Sequence, residues 1–281
     1  MTNRRNFIKS TAKIGAGFYL ASLLSAFKGK GNYPIGVFDI STGLQKNIPE
    51  LFDLCKKVGL DGIQFTGNVR DSRVVDEYLS HMKRTGLKAA ASCLAFDYES
   101  PDGVANLCKS IDGTLALGTD TMLIAFFGDR TLKMENRYLD KDKAKLLIPA
   151  LKEVVPYAKE KNVCICMEGE LCADDNKYIV DAVGSEFFKI YYDIKNIEAC
   201  GFSAPADIRA LKGYIKQLHL KCAGDKLYDT PMPKNMDETI QAILDIDYDN
   251  WLVFESDGKV PNAEEYLAKN LEYVRNTKFF K

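Results

Sequence analysis

The stretch VCICMEGE, residues 163–170, is a short apolar run that ends at a carboxylate. A compact apolar run of about four to eight residues between polar residues is typical of a strand buried on both faces. Seven similar runs occur along the chain, so the sequence predicts eight strands: Tyr33–Phe38, Leu60–Phe65, Leu87–Leu94, Thr121–Phe126, Val163–Met167, Phe188–Asp193, Ile215–Leu220 and Trp251–Glu255.

Stretches with helical periodicity separate these runs, and several follow an Asp, Ser or Pro that favours the start of a helix. The predicted helices are Ile48–Val58, Val74–Thr85, Gly103–Leu117, Lys143–Glu160, Asn176–Val183, Ala206–Leu211, Met236–Leu244 and Ala263–Arg275. Eight strand–helix units in about 250 residues are typical of a (β/α)8 TIM barrel. No GxGxxG or Walker motif follows any strand, which disfavours an open nucleotide-binding sheet. We therefore predict a single α/β domain, a (β/α)8 TIM barrel, over residues 31–281.

Four polar residues stand at the ends of the last four predicted strands. They are Glu168, Asp193, His219 and Glu255, and each lies about one strand–helix unit after the one before it. In a barrel they would lie on consecutive strands at the C-terminal rim, where barrel enzymes have their active sites.

The alternation of side chains along a strand directs these groups into the barrel. Cys164 and Cys166 share a face with Glu168, and Tyr191 shares a face with Asp193. Three carboxylates and one imidazole would then converge, and a divalent cation is the simplest partner for their charge. Three oxygen ligands with one imidazole favour Mn²⁺, with Mg²⁺, Co²⁺ or Zn²⁺ as alternatives.

Each of these residues taken singly also has a structural explanation. Asp193 precedes Ile194 at a position typical of a helix N-cap, and a lone His219 is commonly a structural histidine. The metal site is therefore predicted from the joint occurrence of four ligand-type residues at four successive strand ends.

Four motifs in the second half of the chain resemble a known family. They are MEGE at 167–170, YDIKN at 192–196, HLK at 219–221 and YDNWLVFE at 248–255. The chain resembles the xylose isomerase-like TIM-barrel superfamily over about residues 33–276, and within it the sugar phosphate isomerase/epimerase group. The resemblance implies four metal ligands, Glu168, Asp193, His219 and Glu255. It also implies that Glu168 and Glu255 form the acid/base pair, and that Lys221 and Asn196 contact substrate.

The sequence departs from the family pattern at two places. Gln64 stands near the end of the second strand, where many members carry a Glu, and we expect it to be a third substrate contact. No histidine follows the third or fourth strand, since His81 and His219 are the only two in the chain. The multi-zinc endonuclease IV branch, which needs many histidines, is excluded.

The predicted function is a metal-dependent isomerase or epimerase that moves a proton alpha to a carbonyl in a sugar or related polyhydroxy compound. Two carboxylates beside a Lewis-acidic metal suit that chemistry. The same groups could catalyse elimination, so a lyase acting on an inosose or a 3-keto-glycoside is an alternative. A non-catalytic carbohydrate-binding barrel is another. Lys221 as a Schiff-base lysine is the least favoured, because a metal beside it makes an imine redundant.

The first thirty residues predict an export signal rather than part of the barrel. Arg4 and Arg5 open a pattern that continues through Phe7 and Ile8 to Lys9, and an uncharged stretch covers residues 14–27. This pattern resembles a twin-arginine signal peptide and implies the twin-arginine export machinery as a partner and a periplasmic location. No small-x-small triplet precedes the basic residues that end this segment, so an uncleaved membrane anchor is an alternative. A capping amphipathic helix is a second alternative.

Charge and cysteine spacing exclude two other classes of protein. Of 38 basic residues, six precede Asp39, the first of the 39 acidic residues, so the segment from residue 31 carries 32 basic against 39 acidic side chains. Nucleic-acid binding is disfavoured because phosphate contacts need a basic surface. The eight cysteines include no CxxC pair, so neither a zinc knuckle nor a redox dithiol is indicated.

Overall fold

A computed structural model describes residues 33–221 and 236–280. Eight parallel strands pair in sequence order, and β8 pairs with β1, so the sheet closes into a barrel. The strands are β1 Ile35–Phe38, β2 Gly62–Phe65, β3 Lys88–Leu94, β4 Thr121–Ala125, β5 Cys164–Glu168, β6 Phe188–Asp193, β7 Ile215–Leu220 and β8 Leu252–Phe254. The predicted single-domain TIM barrel is confirmed.

Helices cover the outside of the barrel in alternation with the strands. They are α1 Ile48–Val58, α2 Ser72–Thr85, α3 Gly103–Ala116, α4 Lys141–Lys161, α5 Ala173–Val183, α6 Ile194–Ala199, α7 Ala204–Ala210, α8 Met236–Asp245 and α9 Ala263–Arg275. Two 3-10 turns, Asp39–Thr42 and Gly128–Arg130, lie in the loops after β1 and β4. The sequence did not predict α6, which has six residues and is too short to show a periodic pattern.

Local sequence explains where these helices start and which face they bury. In α1 the buried residues include Ile48, Leu51 and Cys55, spaced so that they lie on one face of the helix. The Asn47 side chain caps its first turn, and Gly59 ends it in the left-handed conformation. Each such helix can therefore stabilise the barrel only by packing its apolar face on the strands.

The strand alternation expected from the sequence is present in β5. Ile165 and Met167 belong to the large apolar layer between the strands and the helices. Cys164 and Cys166 form a separate small cluster with Tyr191 in the barrel interior. Glu168 continues the inward-facing series, so its carboxylate emerges at the C-terminal mouth of the barrel.

The predicted export segment, residues 1–30, lies outside the described residues. Among the helices that the structure describes, none is long and apolar enough to cross a membrane.

Candidate metal centre

The structure brings Glu168, Asp193, His219 and Glu255 together at the C-terminal mouth of the barrel. Glu168 and Asp193 are the last residues of β5 and β6, His219 is the penultimate residue of β7, and Glu255 directly follows β8. One ligand atom from each lies within 4.8 Å of the others, and all four side chains are buried. The convergence expected from strand ends is therefore observed.

The imidazole of His219 lies among the three carboxylates. Its Nδ1 is 2.9 Å from Oε1 of Glu168, 2.5 Å from Oε2 of Glu255 and 3.9 Å from Oδ2 of Asp193. Nδ1 can offer a single hydrogen, so it cannot satisfy all three acids. Oδ2 of Asp193, the most distant of the three oxygens, is buried without a hydrogen bond.

Asp193 is both the N-cap of a helix and a candidate metal ligand. Its Oδ1 accepts a hydrogen bond of 2.8 Å from the backbone N–H of Asn196 and so caps α6. Its Oδ2 points into the cluster without a hydrogen-bond donor. The N-cap alternative is thus correct for one oxygen, and the other oxygen is left for a cation.

A chain of buried hydrogen bonds fixes which nitrogen of His219 is available as a ligand. Gln217 Nε2 donates to the carbonyl of Ala90 at 3.3 Å, which orients its amide, and also donates to the Tyr191 hydroxyl at 2.9 Å. That hydroxyl donates in turn to Oε1 of Gln64 at 2.5 Å. The Gln64 oxygen must therefore accept from His219 Nε2 as well, at 3.0 Å. Nε2 carries a hydrogen, and Nδ1 faces the carboxylates as the ligand atom.

Burial and mutual charge interactions shift the pKa values of all four clustered residues. Burial lowers the pKa of His219, but Glu255 and Glu168 outweigh burial and raise it to about 10. Burial, reinforced by Glu255, raises the pKa of Asp193 to about 8. Burial also raises the pKa of Glu168. For Glu255, the attraction of His219 and Lys221 outweighs burial and lowers its pKa to about 2.

A divalent ion fits this set of charges and donors. Once Asp193 and His219 have lost their protons, three carboxylates and the Lys221 ammonium group carry two net negative charges, and a dication makes the sum zero. Asp193 Oδ2, which is buried without a hydrogen bond, is free to act as a ligand atom for a cation. Oxygen ligands with one imidazole suit a divalent metal. The buried cluster therefore indicates a divalent metal site.

The three predicted substrate contacts lie at different depths. Lys221, which follows β7, is buried and its Nζ is 3.0 Å from Glu255 and 3.6 Å from Asp193. Asn196 is half-buried in the first turn of α6. Gln64 is fully buried beneath His219, so the structure gives it a contact with a ligand residue. Substrate contact stays a prediction for all three.

Sequence reasoning missed three residues that support the cluster. Tyr191 and Gln217 lie two residues before Asp193 and His219 on the same inward faces. Strand alternation could therefore have placed both beneath the candidate ligands. Asp257 lies two residues after Glu255, and its carboxylate is 3.3 Å from Lys221 Nζ. No pattern in the sequence identifies that ion pair.

Comparison with known families agrees with this geometry. The model of the family described as xylose isomerase-like TIM barrel matches residues 52–277. The chain belongs to the xylose isomerase-like TIM-barrel family. The comparison with curated proteins finds no match.

Solved structures of other members of this fold include several sugar epimerases. The 3-keto-D-glucoside 4-epimerase of E. coli superposes with a TM-score of 0.73 at 13% identity, covering 86% of this chain and 99% of that one. A D-allulose 3-epimerase from Methylomonas sp., in complex with D-allulose, gives 0.73 at 15% identity, with 86% and 96% covered. A sugar phosphate isomerase/epimerase from Parabacteroides distasonis gives 0.67 at 16% identity, with 88% and 95% covered. At these identities the likeness shows a shared fold.

Proposed function

We propose that the protein is a divalent-metal-dependent sugar epimerase or isomerase that transfers a proton alpha to a carbonyl. The observation that supports this most is the buried cluster of Glu168, Asp193, His219 and Glu255 at the barrel mouth. Its supporting context is the family of this chain and the shared fold of a D-allulose 3-epimerase and a 3-keto-D-glucoside 4-epimerase. We propose Mn²⁺ as the preferred ion, with Mg²⁺, Co²⁺ or Zn²⁺ as alternatives.

A bound divalent cation would polarise a substrate carbonyl and so make the neighbouring C–H more acidic. Glu168 and Glu255 come from β5 and β8, so their carboxylates approach the mouth from separate sides of the barrel. One carboxylate can remove the proton while the other returns one to the opposite face of the carbon. Asp193 and His219 hold the site in place, because their remaining atoms cap α6 and bond to Gln64.

Lys221 is suited to orient the substrate rather than to form an imine. Its ammonium group is held by Glu255 at 3.0 Å and by Asp257 at 3.3 Å, and both carboxylates keep it protonated. Burial lowers its pKa, but Asp193 and Glu255 outweigh burial and raise it well above the ordinary lysine value. A protonated amine is not a nucleophile, so the aldolase alternative is disfavoured.

The test of this proposal is proton exchange in D2O with the metal-loaded protein and a panel of ketoses, inososes and 3-keto-glycosides. The wild type should introduce deuterium at the carbon alpha to the carbonyl. Glu255→Gln keeps an oxygen that can contact the ion but loses basicity, so exchange should fall by about 10²–10⁴-fold. Sugar binding should change much less.

Glu264→Gln provides the matched control, since Glu264 is an exposed surface residue of α9 that pairs with Lys57. Exchange by this control should equal that of the wild type. A wild type that binds sugars and exchanges no carbon-bound proton would favour the carbohydrate-binding alternative. Release of water or an alcohol from an inosose or 3-keto-glycoside would favour the lyase.

We further propose that residues 1–30 direct export by the twin-arginine machinery, which would place the barrel in the periplasm. The paired Arg4 and Arg5 with Phe7, Ile8 and Lys9 support this proposal. An exported enzyme would meet unphosphorylated sugars more readily than sugar phosphates.

A further inference from the structure

A cavity of about 380 Å³ with a mixed polar and apolar lining lies between α3 and the loops that follow β2 and β3. Its lining includes Asn68, Arg70, Cys93, Asp97, Ser100 and Asn106, and none of the four candidate ligands lines it. Its volume is within the range of about 300–1,000 Å³ typical of small-molecule sites. At about 30 Å³ for each water molecule, the cavity would hold roughly a dozen water molecules. This number is close to the number of non-hydrogen atoms in one hexose unit.

The cavity opens at the same end of the barrel as the metal centre. Thr66 lines it and lies two residues after Gln64, which contacts His219. Two strand residues span about 7 Å, so the cavity begins roughly one sugar ring from the level of the cluster. Cys93 lines the cavity from the inner face of β3 and packs on the interior cluster that contains Tyr191. The two sites are therefore neighbours across the rim.

Close packing of backbone fixes the walls of this cavity. A Cβ on Gly103, at the start of α3, would overlap the carbonyl oxygen of Asp97, and one on Gly113 would overlap that of Val69. Only glycine allows α3 to approach both loops so closely. Asp39 ties the β2 loop down as well, since its carboxylate accepts bonds of 2.9 and 3.0 Å from Thr66.

The chemistry of the lining favours a neutral, hydroxyl-rich ligand. Asn106 presents an amide, which both donates and accepts, and Ser100 presents a hydroxyl. The Asn68 oxygen accepts from Arg70 Nε at 3.0 Å, so Asn68 offers its amide N–H groups. The charges of Arg70 and Asp97 have opposite signs, so the lining has no excess positive charge to select a phosphate. Sugar hydroxyls donate and accept hydrogen bonds and match such a surface.

We propose that this cavity is a subsite for the second unit of a glycoside, whose reacting keto sugar lies at the metal centre. This inference rests on the proposed function and specifies its substrate class as a keto-glycoside or keto-disaccharide rather than a free ketose. The second ring binds by hydrogen bonds to the amides, the hydroxyl and the charged side chains of Arg70 and Asp97 in the loops after β2 and β3.

The catalytic test compares 3-keto-cellobiose with D-allulose in the D2O exchange assay. Wild-type kcat/KM should be about tenfold or more higher for the disaccharide. Asn106→Phe fills the cavity from α3 and should remove most of that preference, with a much smaller effect on D-allulose. Ala105→Phe is the control, because Ala105 is exposed on the same helix and does not line the cavity. Equal kcat/KM for both sugars, or an equal loss for both in Asn106→Phe, overturns the subsite.

A binding measurement separates this inference from the proposed reaction. Cellobiose and glucose, which carry no reacting ketone, are titrated into the wild type and followed by saturation-transfer NMR. Cellobiose should bind more tightly than glucose, and Asn68→Ala, an exposed loop change that leaves the barrel core intact, should weaken cellobiose binding. If no sugar exchanges a proton but this pattern holds, the proposed reaction fails and the subsite stands. If cellobiose and glucose bind alike, the subsite is overturned whatever the reaction.

Discussion

Replacement of Gln64 by leucine tests whether the buried hydrogen-bond chain prepares His219 for metal binding. Gln64 Oε1 accepts from His219 Nε2 at 3.0 Å and from the Tyr191 hydroxyl at 2.5 Å. Leucine has similar size and no acceptor, so both donors would be buried without a partner. Nothing would then hold the hydrogen on Nε2 and direct Nδ1 towards the carboxylates.

The expected size of the effect follows from these two lost bonds. Each unsatisfied buried donor costs about 1–3 kcal/mol of folding free energy. Loss of a residue that orients a metal-bound histidine typically lowers metal affinity by about 10–100-fold. That range equals about 1.4–2.7 kcal/mol of binding free energy. Gln64→Leu should therefore weaken Mn²⁺ binding by at least tenfold while the barrel still folds.

Two further variants make the measurement specific. Gln64→Glu keeps an oxygen acceptor for both donors and should retain Mn²⁺ affinity close to that of the wild type. Thr114→Val removes a buried bond of 2.6 Å to Ser92, well away from His219, and should lower stability without altering metal affinity. Calorimetric titration of the metal-free proteins with Mn²⁺, with circular dichroism as the check on folding, gives the comparison. A folded Gln64→Leu protein with unchanged Mn²⁺ affinity would refute the proposed role of the chain.

Four other predictions address the metal and the export segment. His219→Ala should reduce bound metal well below one equivalent per chain in elemental analysis; unchanged content would place the metal elsewhere. Without metal, the pKa values of about 10 for His219 and about 8 for Asp193 mean that both are protonated at pH 7, so metal binding should release about two protons. Calorimetry in buffers of different ionisation enthalpy counts them, and release of none would contradict the assigned ligands. The raised pKa of His219 stabilises the metal-free protein fully below about pH 6.5, and this stabilisation is lost as the pH rises towards 10. The increase in Tm on adding metal should therefore become larger between these two pH values. Replacement of Arg4 and Arg5 together by lysine should retain the protein in the cytoplasm on cell fractionation, and normal export of that variant would exclude a twin-arginine signal.

The sequence was sufficient for the barrel and for the four clustered residues because both depend on local patterns. A strand buried on both faces leaves a continuous apolar run, and Glu168 and Asp193 each stand where such a run ends. Parallel strands of a barrel all end at one rim, so four strand ends imply one site without any knowledge of distances. The predicted strand boundaries were less accurate, since Glu255 was expected within the last strand and instead follows β8.

The sequence did not indicate how the site is supported, since those contacts join residues far apart in the chain. Gln64 and His219 are separated by 155 positions, and Gln64 and Tyr191 by 127. A glutamine on an inward strand face is compatible with substrate contact or with support of a ligand, and only the position of the neighbouring strands distinguishes these. The ion pair of Lys221 with Asp257 is likewise formed between the loops after β7 and β8.

The fold, the family resemblance and the identity of the converging polar residues can be inferred from the sequence, because periodicity, strand ends and motifs are properties of short segments. The structure was needed to show that Asp193 both caps α6 and faces the cluster, and that Nδ1 is the available nitrogen of His219. The cavity between α3 and the loops after β2 and β3 is likewise visible only in the structure. The physical reason is that hydrogen-bond direction, buried charge and enclosed volume arise where strands and loops distant in sequence meet.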